Sequence, residues 1–431
     1  MEQALITNLG EYKGREVEVW GWIFNKRSSG GLIFLQIRDG SGFCQAVVDE
    51  GSVSPEVWQA ANDITMESSV KIGGGVVAHP KQEGVFELQV KAIEIVQLAE
   101  EYPIAKKDHG VDFLLDNRHL WLRSQRQWAI MRIRDTIINS LMEWLNQNGF
   151  IKIDSPILTP TSCEDTTELF EMDYFDLGKA YLSQSGQLYI EAAIFTHGSV
   201  YDFGPVFRAE KSKTRRHLTE FWMLDAEMAW VQHAENMKIQ EQLISYVVSR
   251  VLELNKVELT ILERNIESLE KVTAPFYLLT HKEAVKKLQA MGSDIKEDED
   301  LGGDDETKLS LEYDKPIFIE KYPSKIKAFY MKRDPEDEGR ALCSDLLAPE
   351  GYGEIIGGSE REDDYETLVA RLKEFKLDRK DFEWYLDLRK YGSVPHSGFG
   401  IGLERLVGWI CGTKHVRETI PFPRLINRLN P

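Results

Sequence analysis

FGPVFRAEKSKTRRHLTEF, residues 203–221, reads as a strand, a polar and basic loop, and the start of a second strand. The two-residue period of the first strand puts Arg208 and Glu210 on one face, and the chain returns at Glu220 and Phe221. An arginine held this way can clamp a phosphate or a carboxylate through two parallel N–H donors. By itself the segment is also an ordinary hairpin with a solvated basic tip, so its meaning depends on what surrounds it.

Near the C-terminal end, HSGFGIGLERLVGW (396–409) sets small glycines ahead of Glu404, Arg405 and an apolar helix. It is not a dinucleotide fingerprint, because Leu403 stands where GxGxxG needs its last glycine. Between these two stretches, CSDLLAPEGYGEIIGGSER (343–361) places Asp345 and Glu354 on either side of a turn, with Arg361 just beyond Gly358 and Ser359. Paired carboxylates beside phosphates suit Mg²⁺, an oxygen-seeking cation that keeps several waters. Read separately, each stretch has a plainer reading as packing or surface.

Upstream, Ile130, Ile133, Ile137, Leu141 and Leu145 recur at helical spacing from Ser124, and Gly149 marks the stop. FIKIDSPILT follows as a strand interrupted at Pro156. AYLSQS, EFWMLDAEMAW, KPIFIEKY and GYGEIIGGSE read as further strands, with amphipathic helices near 235–254 and 364–390 and a surface loop at 293–306. Residues 124–431 are therefore expected to form a mainly antiparallel sheet flanked by helices, within an α+β chain.

At the other end, EVEVWGWIF, LIFLQIR and FCQAVV form a meander, a short helix starts at Pro55, and SVKIGGGVVA and VFELQVKAIEIV supply two more strands. The order β-β-β-α-β-β fits an OB-fold barrel over residues 1–98, a common platform for single-stranded nucleic acid. Residues 99–123, with Pro103 and Lys106-Lys107, read as a linker.

Composition bounds these readings. The 431 residues are 42% hydrophobic and 10% aromatic, enough for a substantial core. No run approaches the roughly 18 apolar residues of a membrane helix, and MEQALITNLGEYKG lacks a secretory pattern, so the expected location is the cytoplasm, with no membrane partner. Cys44, Cys163, Cys343 and Cys411 are too scattered for a zinc site or a disulfide framework. The net charge of −19 argues against a nucleic-acid partner unless basic residues are concentrated, as they are at Lys26-Arg27 and Lys211–Arg216.

Taken in order, the helix and strand to Pro156, Phe207-Arg208-Ala209-Glu210 and Gly400-Ile401-Gly402-Leu403-Glu404-Arg405 resemble the three motifs of class II aminoacyl-tRNA synthetases. With an N-terminal OB-fold the resemblance narrows to the aspartyl, asparaginyl and lysyl enzymes, and QSGQLY (184–189) with GYGEIIGGSER is similar to the first two. It implies that Arg208 contacts the α-phosphate and the amino-acid carboxylate, Phe221 stacks on adenine, and Arg405 holds the terminal phosphate. Glu210, Arg216, His217 and Gly402 complete the implied ATP site. Glu354, helped by Asp345, is the implied Mg²⁺ ligand, while Glu164, Ser185 and Gln187 surround the substrate's amino group. In the barrel, Arg27, Phe34 and Gln45 match anticodon-binding positions, with Phe34 stacking on a base and Gln45 reading its edge. A homodimer through the helix and strand around Pro156 is also implied. Such a reaction needs cationic neutralisation rather than a nucleophilic side chain, so no covalent enzyme intermediate is expected.

Asparagine and aspartate both suit Arg361, which can donate to either side-chain oxygen. Aspartyl enzymes carry a lysine where QSGQLYIE has Ile190, and without that cation Asp225 can accept from a carboxamide and repel a carboxylate. WYLDLRKYGSVPHSGFG and ETIPFPRLINRLNP also look like bacterial asparaginyl enzymes. L-asparagine, ATP and tRNA(Asn) are thus the implied substrates. Two departures stand, Asp225-Ala226 where many asparaginyl relatives have Glu-Pro, and Glu164-Asp165 where they have Glu-Gly. An aspartyl enzyme, including one that charges both tRNAs, a stand-alone asparagine synthetase related to the catalytic domain, and an inactive nucleic-acid-binding relative stay open at this point.

Overall fold

A computed structural model describes residues 1–104, 107–160 and 168–431. They form two compact units, Met1–Gly110 and Val111–Pro431.

In the first unit, strand Glu16–Ser29 pairs antiparallel with both Leu32–Arg38 and Ser69–Ala78, which closes a barrel through Phe43–Asp49 and Phe86–Gln97. Alternation decides which side is core: Val17, Val19 and Ile23, then Ile33, Leu35 and Ile37, are buried, while Trp20 and Trp22 face out. Helix Pro55–Asp63 is capped by Ser54, whose hydroxyl accepts from the Val57 amide. This is the OB-fold barrel expected from the strand order.

The second unit is built on an eight-stranded sheet. Its order is Tyr277–Thr280, Ile317–Glu320, Cys343–Ala348, Gly353–Glu360, His396–Gly402, Glu220–Ala229, Ser199–Phe207 and Ile151–Lys152. All neighbours are antiparallel except the outermost pair at each edge. Helix Gln125–Gln147 starts where Ser124 Oγ accepts from the Gln127 amide and packs its five predicted apolar residues against helix His233–Leu254 and the sheet. The glycine at 149, with φ +83°, takes the left-handed turn that ends it. Among the described residues no helix is long and apolar enough to cross a membrane.

Three local expectations differ from what is observed. Within 99–123, Val111–Asp116 and Arg118–Trp121 are helical, and buried Arg118 donates to the Pro421 and Ile420 carbonyls at 2.8 Å each, tying them into the second unit. The stretch 364–390 is two helices, Tyr365–Glu374 and Glu383–Lys390, because Lys376 adopts φ +57°. The acidic stretch 293–306 is not wholly a surface loop: Gly303–Ser310 is a helix, and Glu306 turns inward to pair with Arg216 at 2.7 Å.

Candidate active site

A cavity of about 440 Å³ opens on the sheet of the second unit, over strands Glu220–Ala229, Gly353–Glu360 and His396–Gly402. Its walls include the predicted residues Arg208, Glu210, His217 and Phe221 from the 203–221 hairpin. Asp345, Glu354 and Arg361 enter from the second hairpin, and Gly402 and Arg405 from the strand-to-helix turn. Ser185, Gln187 and Asp225 line it too. Glu164 lies outside the described residues, and Arg27, Phe34 and Gln45 belong to the barrel.

At one end the groups are cationic and carboxylate in alternation. Arg208 lies 5.5 Å over the Phe221 ring and donates to the Gln184 carbonyl. Arg405 Nη1 pairs with Glu354 Oε2 at 2.7 Å, and Lys327, which the sequence did not mark, pairs with Asp345 Oδ2 at 3.0 Å. Each carboxylate turns its other oxygen to one shared volume. A β-carbon built on Gly357 would sit 3.2 Å from Glu354 Oε1 and 3.7 Å from Asp345 Oδ1. Burial pushes the Asp345 carboxyl up to about 6 while Lys327 opposes it.

Arg216 reaches the same end but is tied back. Its guanidinium donates to Glu306 (2.7 Å), Thr307 Oγ1 (2.6 Å), and the Gly351 and Gly303 carbonyls (2.7 and 3.2 Å). Burial, then neighbouring Glu354, raises Glu306 to about 7. His217 faces Ser212 Oγ at 3.1 Å, and burial, then Arg405, lowers its pKa.

The rest of the lining is polar around Asp225 and Arg361. Asp225 Oδ2 accepts from Ser185 Oγ and the Gly186 amide, both at 2.9 Å, which fixes its carboxylate at the wall. Arg361 is 3% exposed and gives Nε to Glu227 at 3.0 Å and Nη1 to Ser359 Oγ at 2.6 Å. Its ion-pair partner is therefore Glu227, two residues along the strand from Asp225 and on the same face.

Sequence reasoning missed Glu227, Glu191, Arg389, His396 and Lys327. Glu191 lies one turn after Gln187 in helix Gln187–His197, wholly buried, and accepts from Gln187 Nε2 (3.2 Å), Tyr385 Oη (2.7 Å) and Arg389 Nη2 (2.9 Å), with His396 Nε2 at 3.1 Å. Against burial, Arg389 and His396 hold its carboxyl well below the usual range. The only signal was an acid inside the apolar run IEAAIF. Ile190 packs with Ile194 and Val200 and does not line the cavity, so position 190 contributes shape behind the wall rather than a contact.

In the barrel, Arg27 donates to Gln45 Oε1 at 3.0 Å and lies 4.6 Å over the Phe34 ring, with both Phe34 and Gln45 half-buried on neighbouring strands. Gln45 Nε2 donates to Glu87 at 3.0 Å, so the amide orientation is set from both sides.

Residues 110–426 match the family described as tRNA synthetases class II (D, K and N), and 17–96 match the OB-fold nucleic acid binding domain. Asparaginyl-tRNA synthetase from Pyrococcus horikoshii, solved with asparaginyl-adenylate, is 45% identical over 100% of both chains with a TM-score of 0.96. The Entamoeba histolytica asparaginyl enzyme, also with asparaginyl-adenylate, is 31% identical over 97% of each chain, TM-score 0.88. The aspartyl enzyme of that organism is 30% identical over 100% of this chain and 93% of its own, TM-score 0.84. The chain belongs to the class II tRNA synthetases of the D, K and N group, on the branch of their asparaginyl members.

Proposed function

We propose that the cavity joins L-asparagine to ATP, releasing pyrophosphate and forming asparaginyl-adenylate, and then passes the asparaginyl group to the 3′ end of tRNA(Asn). The observation that carries this reading is a single cavity whose two ends suit the two substrates. Arg208, Arg405 and His217 line it with cationic and imidazole groups suited to phosphates, and Asp225 and Arg361 line it with an acceptor and a donor suited to a carboxamide.

Attack of a carboxylate on the α-phosphate draws negative groups together; Arg208 neutralises them, and Phe221, with Arg208 over one side of its ring, stacks its other side on the adenine. Arg405 holds the distal phosphates, with Glu210 and His217 on the same wall. Arg216, bonded four ways, steadies that wall and must shed partners before it can reach a phosphate. Glu354 and Asp345, each with an oxygen near Gly357, would hold a magnesium ion. When bound, the ion supplies charge neutralisation of the phosphates.

Ser185 and Gln187 flank the substrate's ammonium, and Glu164 is proposed for the same group. Asp225 accepts from the carboxamide NH₂ and repels a carboxylate, and Arg361, already balanced by Glu227, donates to the carboxamide oxygen without demanding a second anion. The barrel, with Arg27, Phe34 and Gln45, reads the anticodon. We assign residues 1–98 to it and 124–431, together with the helices at 111–121, to catalysis, in a cytoplasmic homodimer. The exposed apolar residues Ile151, Ile157 and Leu158 flanking Pro156 support that pairing.

Incubating the protein with ATP, Mg²⁺ and an equimolar mixture of asparagine and aspartate, then analysing the quenched mixture by mass spectrometry, tests the reading. Asparaginyl-adenylate is expected. Aspartyl-adenylate, or no adenylate with either amino acid, contradicts it.

A further inference from the structure

Glu191 touches no substrate-facing surface: it is 0% exposed and sits behind the cavity wall. It nonetheless controls a residue that does line the cavity. Gln187 Nε2 donates to Glu191 Oε1 at 3.2 Å. A carboxylate accepts and cannot donate, so this bond fixes which way the Gln187 amide faces: nitrogen inward, oxygen toward the cavity. No described residue donates to that oxygen, which leaves an acceptor at the amino-acid end of the site.

The carboxylate is itself immobilised. Tyr385 Oη reaches both of its oxygens at 2.8 and 2.7 Å, Arg389 Nη2 holds one at 2.9 Å, and His396 Nε2 stands at 3.1 Å from the same one. Arg389 is anchored in turn to the Glu362 carbonyl at 2.8 Å, and His396 Nδ1 faces the Val394 carbonyl at 2.8 Å. Three elements thus meet on one carboxylate, its own helix Gln187–His197, helix Glu383–Lys390 and strand His396–Gly402, with the Glu362 carbonyl holding Arg389 from behind. A buried charge this fully bonded has one orientation and passes it on.

We propose that Glu191 is a positioning residue for amino-acid recognition: it locks the Gln187 carboxamide oxygen toward the substrate's ammonium, so that an α-ammonium is required at this end of the site. This rests on the reading of the cavity as an asparagine-activating site. Glutamine at 191 can present either an acceptor or a donor to Gln187, and the lock is lost.

The test is pyrophosphate exchange by the full chain, wild type and Glu191→Gln, with inhibition by succinamate, which is asparagine without its α-amino group. Loss of one charge-assisted contact predicts a KM for asparagine raised about tenfold or more, with the KM for ATP and the succinamate inhibition constant within twofold of wild type. The swapped double variant Gln187→Glu, Glu191→Gln keeps the bond between the two side chains and returns an acceptor to the cavity, so it should recover most of the loss. If Glu191→Gln does not fold, Tyr385→Phe, which loosens the carboxylate without changing its charge, carries the same split at about two- to threefold. An unchanged KM for asparagine, or equal weakening of succinamate and ATP, overturns the proposal. Wild type without asparagine-dependent exchange would instead refute the functional reading beneath it.

Discussion

Replacing Gly357 by alanine puts a methyl group against the two carboxylate oxygens proposed to hold magnesium. The backbone there is ordinary strand, paired with Asp345 on one side and Gly400 on the other, and Gly357 is not among the residues with positive φ. Alanine is thus compatible with the fold, and its reduced freedom in the unfolded chain favours the native state by up to about 1 kcal/mol. The new carbon lies 3.2 Å from Glu354 Oε1 and 3.7 Å from Asp345 Oδ1. Magnesium needs oxygens at about 2.0–2.1 Å, so the two carboxylates can no longer share an ion without one turning away from its partner, Arg405 or Lys327. Loss of one such ligand predicts a rise of at least tenfold in the Mg²⁺ concentration for half-maximal exchange. The exchange rate should fall about 100-fold, equivalent to about 2.7 kcal/mol of barrier. The assay is pyrophosphate exchange titrated with Mg²⁺, beside a thermal melt that should be unchanged or slightly raised. Wild-type rate and Mg²⁺ dependence in Gly357→Ala would refute the assignment of the ion to this pair of oxygens.

Phe34→Ala should leave pyrophosphate exchange intact and raise the KM for tRNA about 5- to 150-fold, as a base-stacking contact of roughly 1–3 kcal/mol implies, and aminoacylation kinetics decide it. Glu227→Ala strands the Arg361 guanidinium, which is 3% exposed, and should lower stability by about 3–5 kcal/mol in a denaturant titration; a loss under about 1 kcal/mol would show that the pair does little. His281 is buried, its Nε2 faces the Glu299 carbonyl at 2.9 Å and its Nδ1 the Arg340 guanidinium at 3.2 Å. Burial first, and Arg340 after it, bring its pKa to about 4, below the ordinary 6.5. The unfolded chain therefore binds the extra proton in this window, so the contribution is complete above pH 6.5 and is lost as pH falls toward 4, by up to about 1.4 kcal/mol per pH unit. Melts from pH 7 to 4 should show a shallower slope for His281→Asn than for wild type, and equal slopes would remove His281 from the account.

What was legible in the sequence follows physical range. The barrel strands and the helix from Ser124 announce themselves because side-chain period and burial coincide residue by residue, as with Val17, Val19 and Ile23 or Ile130, Ile133 and Ile137. Arg208, Glu354 and Arg405 stood out through short segments whose glycines and charges sit close in the chain. The polar network behind the cavity could not be read this way. Glu191 meets Arg389 across 198 positions and Arg361 meets Glu227 across 134, and nothing local distinguishes such an acid from a surface one. Glu306 was hidden for the opposite reason: its neighbours Asp304 and Asp305 look like a solvated run, and only the helix from Gly303 turns one of the three acids inward to Arg216. The role of Ile190 shifted as well, since its helical position faces the Ile194 and Val200 cluster.

Selection of asparagine by Asp225 is read out by the ratio of kcat/KM for asparagine to that for aspartate in pyrophosphate exchange, measured on wild type and Asp225→Asn. A ratio of at least about 10⁴ is expected for wild type, falling at least 100-fold in the variant because the wall no longer repels a carboxylate. A wild-type ratio near one, or a ratio that Asp225→Asn leaves untouched, would contradict it.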